Sequence, residues 1–150
     1  MVTRKKNPAR FLSEREKRLV VSAIRETENK TSGEIRVALD YKARGDGMAA
    51  ARKVFKKLGM AKTKHRNGVL IFLAVQDRSF VILGDEGIHE RLGTEFWKEA
   101  AAQMQAFFTR DEFGPGLEAA IRKTGEALAR HFPPEKDGPN EIPDKIHEPG

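Results

Sequence analysis

The stretch Arg66–Gly87, RNGVLIFLAVQDRSFVILGDEG, constrains this chain more than any other. Val69–Val75 is a continuous apolar run, too short for a buried helix and rich in β-branched and aromatic side chains. It predicts a strand covered on both faces. Gln76-Asp77-Arg78-Ser79 breaks the run, and Phe80–Leu83 resumes it. The pattern predicts a hairpin that turns at Asp77-Arg78 and ends at Gly84. A hairpin puts Asn67-Gly68, before its first strand, at the same end of the sheet as Asp85-Glu86-Gly87, after its second.

The chain before the hairpin supplies the rest of the sheet. Glu34–Asp40 alternates, with Ile35, Val37 and Leu39 on one face and Glu34, Arg36, Ala38 and Asp40 on the other, the mark of a half-buried strand. Arg44–Gly47 reads as a loop with Asp46 as an N-cap. The next helix spaces Met48, Ala51, Phe55 and Leu58 by three and four, sets Arg52, Lys53, Lys56 and Lys57 opposite, and closes at Gly59. Strand, helix, strand is a right-handed crossover, so the first two strands run parallel and the third antiparallel. Upstream, Ser13-x-x-Glu16 is a capping box opening a helix that turns Leu19, Val20, Ala23, Ile24 and Thr27 inward. Downstream, a helix over Thr94–Phe108 buries Trp97, Met104 and their aromatic neighbours. A last helix carries Leu117, Ile121, Thr124, Leu128 and Phe132 until Pro133-Pro134 stops it. The predicted fold is α/β: a mixed sheet with one parallel crossover and one antiparallel hairpin, helices packed on the sheet.

At 150 residues the chain is one domain's worth. Residues 1–11 read as a disordered basic arm, dispensable for folding; 12–132 as the domain; 133–150 as an extended Pro-rich tail. No run approaches the roughly 18 apolar residues of a membrane span, and no apolar segment follows the charged start as it would in a signal peptide. With no cysteine there is neither a disulfide framework nor a thiolate metal site, and the expected compartment is the cytoplasm.

The formal charge of +6 is unevenly placed: residues 1–18 hold seven Lys/Arg and two Asp/Glu, leaving the remainder nearly neutral. Residues 47–76 contain seven basic residues and no acidic one, whereas 84–118 contain eight acidic and three basic. Arg52–Lys57 reads as a solvated face, the alternative being that it meets phosphate, as the arm could. No nucleic-acid motif or exposed aromatic series accompanies it, which argues against a nucleic-acid partner.

Strand polarity sorts the polar residues into two ends. One end gathers Glu34, Asn67, Asp85 and Glu86, with Lys64 and His65 in the feeding loop. Carboxylates beside an amide, on loops that can bend around one point, are the oxygen ligands a hard cation needs. The plain alternative is a polar turn at Asp85-Glu86 and a solvated Glu34, and on residues alone it is at least as well supported. The opposite end holds Asp40, Asp77 and Arg78, with Arg110, Asp111 and Glu112 joining from the helix–helix loop. It is the carboxyl end of the parallel strands, where open α/β sheets tend to place ligands, and so the rival site. It ranks second because Asp77-Arg78 is already explained as a hairpin turn and Arg110-Asp111-Glu112 as a helix start. The four histidines lack zinc spacing, no phosphate-cradling glycine loop is present, and no serine sits in a nucleophile context.

TSGEIRV (Thr31–Val37), KTKHRNGVLIFLAVQDR (Lys62–Arg78) and the strand ending in Gly84-Asp85-Glu86-Gly87-Ile88 together resemble the TPM domain family over about residues 12–132. The resemblance implies an α/β sandwich. Some plant and bacterial relatives are described as acid phosphatases and others as divalent-cation binders. Many carry a signal peptide and a membrane anchor or Gly-rich tail; neither is expected here, and the chain is similar to the small intracellular kind. Many show an aromatic-Gly pair where this chain has Asp85-Glu86, which favours a metal reading over a phosphatase one. The expectation is a cytoplasmic domain, free of the membrane, that binds Ca²⁺ or Mg²⁺ through Glu34, Asp85 and Glu86. Lys64 and Asn67 would assist toward a phosphate-bearing ligand, and metal-dependent phosphomonoester hydrolysis is implied only by the family. The rival expectation is a non-catalytic module docking through its basic arm on an acidic partner or nucleic acid.

Overall fold

In the computed structural model, residues 4–43, 45–135 and 145–149 are described. The elements run α1 (Pro8–Phe11), α2 (Glu14–Glu28), β1 (Glu34–Asp40), α3 (Met48–Lys57), a 3-10 turn (Met60–Lys62), β2 (Gly68–Ala74), β3 (Ser79–Gly84), α4 (Glu86–Thr109), α5 (Phe113–His131) and β4 (Ile146–His147). Among the described residues the sheet has the order β3-β2-β1-β4, with β1 parallel to both β2 and β4 and β3 antiparallel to β2. The mixed α/β sheet expected from the crossover and hairpin is present.

β2 is buried along its whole length because each face meets its own helical layer. Val69, Ile71, Leu73 and Val75 join Ile35, Val37 and Leu39 beneath α2, α4 and α5. Leu70, Phe72 and Ala74 join Ala38 and Val81 beneath α3, where Ala51 and Phe55 are the buried side chains. The capping box of α2 forms as read, Ser13 Oγ accepting from Glu16 N while the Glu16 carboxylate accepts from Ser13 N.

Several expectations change. β1 is buried on both faces, not half-buried, and Arg36 is wholly inaccessible. Its charge is met by Glu28 and Glu34, so the alternation of polar residues marks a buried ionic row, not a solvent face. Residues 4–11 do not form a disordered arm: Asn7 caps α1, Phe11 and Leu12 are buried, and Phe11 packs edge-on against Phe113 at 4.8 Å. One aromatic and one proline suffice because α5 presents a partner face. The tail does not stay extended and separate at its far end, since Ile146 and His147 pair with Val37 and Ala38; residues 136–144 lie outside the described residues. Finally, the helix expected from Thr94 begins at Glu86 and bends at Gly93 (φ 76°, ψ 170°), a conformation that glycine tolerates. Asp46 sits one residue before the N-cap Gly47, its carboxylate accepting from Met48 N at 3.0 Å.

Candidate functional site

The end of the sheet holding Glu34, Asn67, Asp85 and Glu86 is assembled as strand polarity requires. Glu34 pairs with Gly68 across β1 and β2, and Val69 with Gly84 across β2 and β3. Asp85 N donates to Gly68 O at 2.9 Å, and Asp85 caps α4 through Oδ1 to Glu86 N at 2.8 Å. The carboxylate is then closed by Arg66, whose Nε and Nη2 reach Oδ2 and Oδ1 at 2.7 and 2.9 Å. A bidentate guanidinium fork occupies both oxygens in the geometry a cation would need. Glu86 is exposed, with Arg66 Nη1 at 3.9 Å as its partner.

Glu34 has a different partner from that pair. Only 6 % exposed, it faces Arg36 Nη2 at 3.6 Å, and Glu28 both pairs with Arg36 and accepts from Ile35 N at 3.0 Å. The buried guanidinium is thereby compensated by carboxylates on either side, the condition for keeping a charge out of water. Asn67 is buried, its amide 3.5 Å from Ser32 Oγ. Lys64 is exposed, and the neighbouring His65 pairs with Glu135. That hydrogen bond holds the Glu135 carboxyl below its ordinary value.

The opposite end is built differently. The parallel ladder continues past its last strand residues, with Val75 N donating to Asp40 O and Gln76 N to Tyr41 O, both at 2.9 Å. The 41–43 segment and the hairpin turn are thus held side by side, and Asp77 Oδ2 accepts from Ala43 N at 3.4 Å. Asp40 Oδ1 accepts from Tyr41 N at 2.7 Å. Among the described residues neither Asp40 nor Asp77 pairs with a cationic side chain. Asp111, by contrast, is shared by Arg78 at 3.1 Å and Arg4 at 3.4 Å, and Glu112 is taken by Arg110 at 3.3 Å. Arg78 and Asp111 both adopt left-handed backbone (φ 51° and 62°), so the two turns that face each other here are conformationally specified.

The TPM domain family matches residues 6–127. The chain belongs to the TPM domain family. No curated protein matches it. Among solved structures, an NMR structure of the BA42 protein from the psychrophilic bacterium Bizionia argentinensis is 41 % identical. The alignment covers 97 % of this chain and 100 % of that one, with a TM-score of 0.87. An NMR structure of the N-terminal domain of the cg2496 protein from Corynebacterium glutamicum shares the fold at 13 % identity and a TM-score of 0.58. That match covers 86 % of this chain and 78 % of the other.

In this TPM domain, then, the consecutive Asp85 and Glu86 both face Arg66, while Glu34 belongs to the Arg36 row. Among the described residues no three acidic or histidine side chains converge, and no helix is long and apolar enough to cross a membrane. The partner that sequence reasoning missed is Arg66. Extending the hairpin register three residues beyond Val69 and Gly84 sets Arg66 against Gly87, which is the signal that places it beside Asp85.

Proposed function

We propose that this TPM domain binds a divalent cation of the magnesium or calcium class at the carboxyl end of its parallel strands, through Asp40 and Asp77. One observation carries the reading. Glu34, Asp85, Glu86 and Asp111 each face an arginine, whereas Asp40 and Asp77 sit at one corner of the sheet with no cationic partner among the described residues. Asp85 is held at both oxygens by a guanidinium fork, which competes with an ion for that carboxylate. Two carboxylates completed by main-chain oxygens and water suit magnesium, or calcium held weakly. The residues first considered as ligands, Glu34, Asp85 and Glu86, remain the alternative location, reachable if Arg66 swings out. The reading assigns binding and no reaction.

Melting in chelator, and again with millimolar magnesium or calcium, tests it. At a free concentration tenfold above the dissociation constant, binding to the folded state alone adds about 1.4 kcal/mol. For a domain of this size that is a rise of a few degrees, at roughly 2–8 °C per kcal/mol. Asp40→Asn with Asp77→Asn should abolish the rise, and Asp85→Asn should keep it despite a lower starting melting point. The reverse pattern would move the site to the Asp85 end. No rise with either ion in the unsubstituted protein would remove the proposal.

A further inference from the structure

We propose that the outer face of α3, together with the segment that follows it, docks on the phosphate backbone of double-stranded nucleic acid. Arg52, Lys53, Lys56, Lys57, Lys62 and Lys64 are all exposed, and residues 47–76 contain no acidic side chain of their own, Glu135 acting on Lys64 alone from outside the segment. Among the described residues, Arg52, Lys53, Lys56, Lys57 and Lys62 form no ion pair. Arg4, Arg78, Arg110 and Arg122, by contrast, each reach a carboxylate, although other exposed cations, Lys5, Lys6 and Arg18 among them, form no ion pair among the described residues either.

The arrangement does not serve the helix itself. Arg52 with Lys56 and Lys53 with Lys57 are like-charge pairs one turn apart, each costing a few tenths of a kcal/mol. The favourable interaction of a cation with a helix C-terminus accounts for Lys56 and Lys57 alone. Packing does not explain the face either, because α3 turns Ala51 and Phe55 to the sheet and leaves its basic residues outside.

The chemistry of the face selects the partner. It carries no exposed large apolar side chain; among the described residues that distinction belongs to Tyr41, outside the segment. A bilayer would therefore receive charge without insertion, one of the two signals stable anchoring takes. No exposed aromatic is present to stack on unpaired bases, which favours a duplex over a single strand. α3 also lacks Asn and Gln, the side chains that read adenine edges. The missing recognition motif, which argues against a nucleic-acid partner at the level of sequence, bears on base reading alone; contacts to phosphate position a protein without reading sequence, and that is the mode this face fits. Eight acidic residues against three basic over 84–118 segregate the charge and orient the domain as it approaches.

Fluorescence anisotropy of labelled mixed-sequence duplexes, in chelator and over a range of KCl, tests the proposal independently of the cation site. Binding should be micromolar at low salt and equal for two unrelated sequences. Its log–log salt slope should be about −4, at roughly −0.9 per neutralised phosphate. Lys53→Glu with Lys57→Glu should weaken binding roughly tenfold or more and flatten the slope by about two. Lys98→Glu, an exposed change elsewhere, should do neither. If the charge-reversed protein melts early, Lys53→Gln with Lys57→Gln gives the same comparison with half the charge change. No binding at low salt, or binding indifferent to both double variants, overturns the proposal. So does binding to anionic phospholipid vesicles under conditions where the duplex is left free.

Discussion

Glu16 ties together three segments that are far apart in the chain. Its carboxylate closes the α2 capping box, accepts from Arg4 Nη1 and Nη2 at 2.6 and 2.8 Å, and accepts from Gly114 N at 3.0 Å. Arg4 also lies over the rings of Phe11 and Phe113, at 5.3 and 4.9 Å. Burial pushes the Glu16 carboxyl up, but the hydrogen bonds from Arg4, Ser13 and Gly114 and the charge of Arg4 outweigh it, bringing the pKa from 4.5 down to about 2. A depressed carboxyl contributes stability above its unfolded value and loses it as pH falls toward the folded one. Arg4→Ala should thus cost about 1.5–3 kcal/mol at neutral pH, the range for a charged, partly buried hydrogen-bonded group. That difference should shrink as pH falls from about 4.5 toward 2. Urea unfolding of both proteins at neutral pH and at the lowest pH where both still fold measures it; a pH-independent gap would show that Arg4 acts by ring packing instead. The Ser13–Glu16 half of this cluster was legible, being local and patterned. Arg4 was not, because its ion partners lie at Glu16 and Asp111 and nothing in a lone arginine announces them.

The same division holds for whole elements. The hairpin was legible because an apolar run, a polar break and a second apolar run leave little else to build. The loop before it was not, because its shape is set by α4. Arg66 adopts left-handed backbone (φ 51°), its carbonyl accepts from Gly87 N at 2.8 Å, and its side chain closes on Asp85. The 63–67 loop is so close to the start of α4 that a Cβ on Gly87 would collide with the His65 carbonyl and lie 2.7 Å from that of Arg66. Two effects oppose each other in Gly87→Ala. Helix propensity favours alanine by about 1 kcal/mol, while forcing a methyl against backbone costs about 1–3 kcal/mol. Both obstructing atoms are main chain, so the clash should win and the variant should unfold at lower urea. A variant as stable as the parent would mean that the loop yields and that the Arg66–Asp85 fork does not hold it.

At the scale of the molecule, the sheet is completed from the far end of the chain. β1 reads as half-buried from its own alternation, yet its second neighbour is β4, a two-residue strand set among Pro, Lys and Glu with no periodic signal. Only long-range pairing reveals it. Removing residues 136–150 should therefore do more than trim a tail. It would expose Ile146's share of the core, worth about 1.5–3 kcal/mol for a buried isoleucine, and leave β1 as an edge with unpaired backbone groups at Val37 and Ala38. The melting temperature should fall by several degrees, at roughly 2–8 °C per kcal/mol for domains of this size. The exposed edge, flanked by Ile35, Val37 and Leu39, should also recruit a second copy, seen as concentration-dependent scattering. Ile146→Ala separates the two effects: it should lower the melting point while leaving the backbone pairing, and hence the monodispersity, in place. A truncated protein that melts with the parent and scatters no more than it does would show that β4 merely rests on a sheet already complete without it.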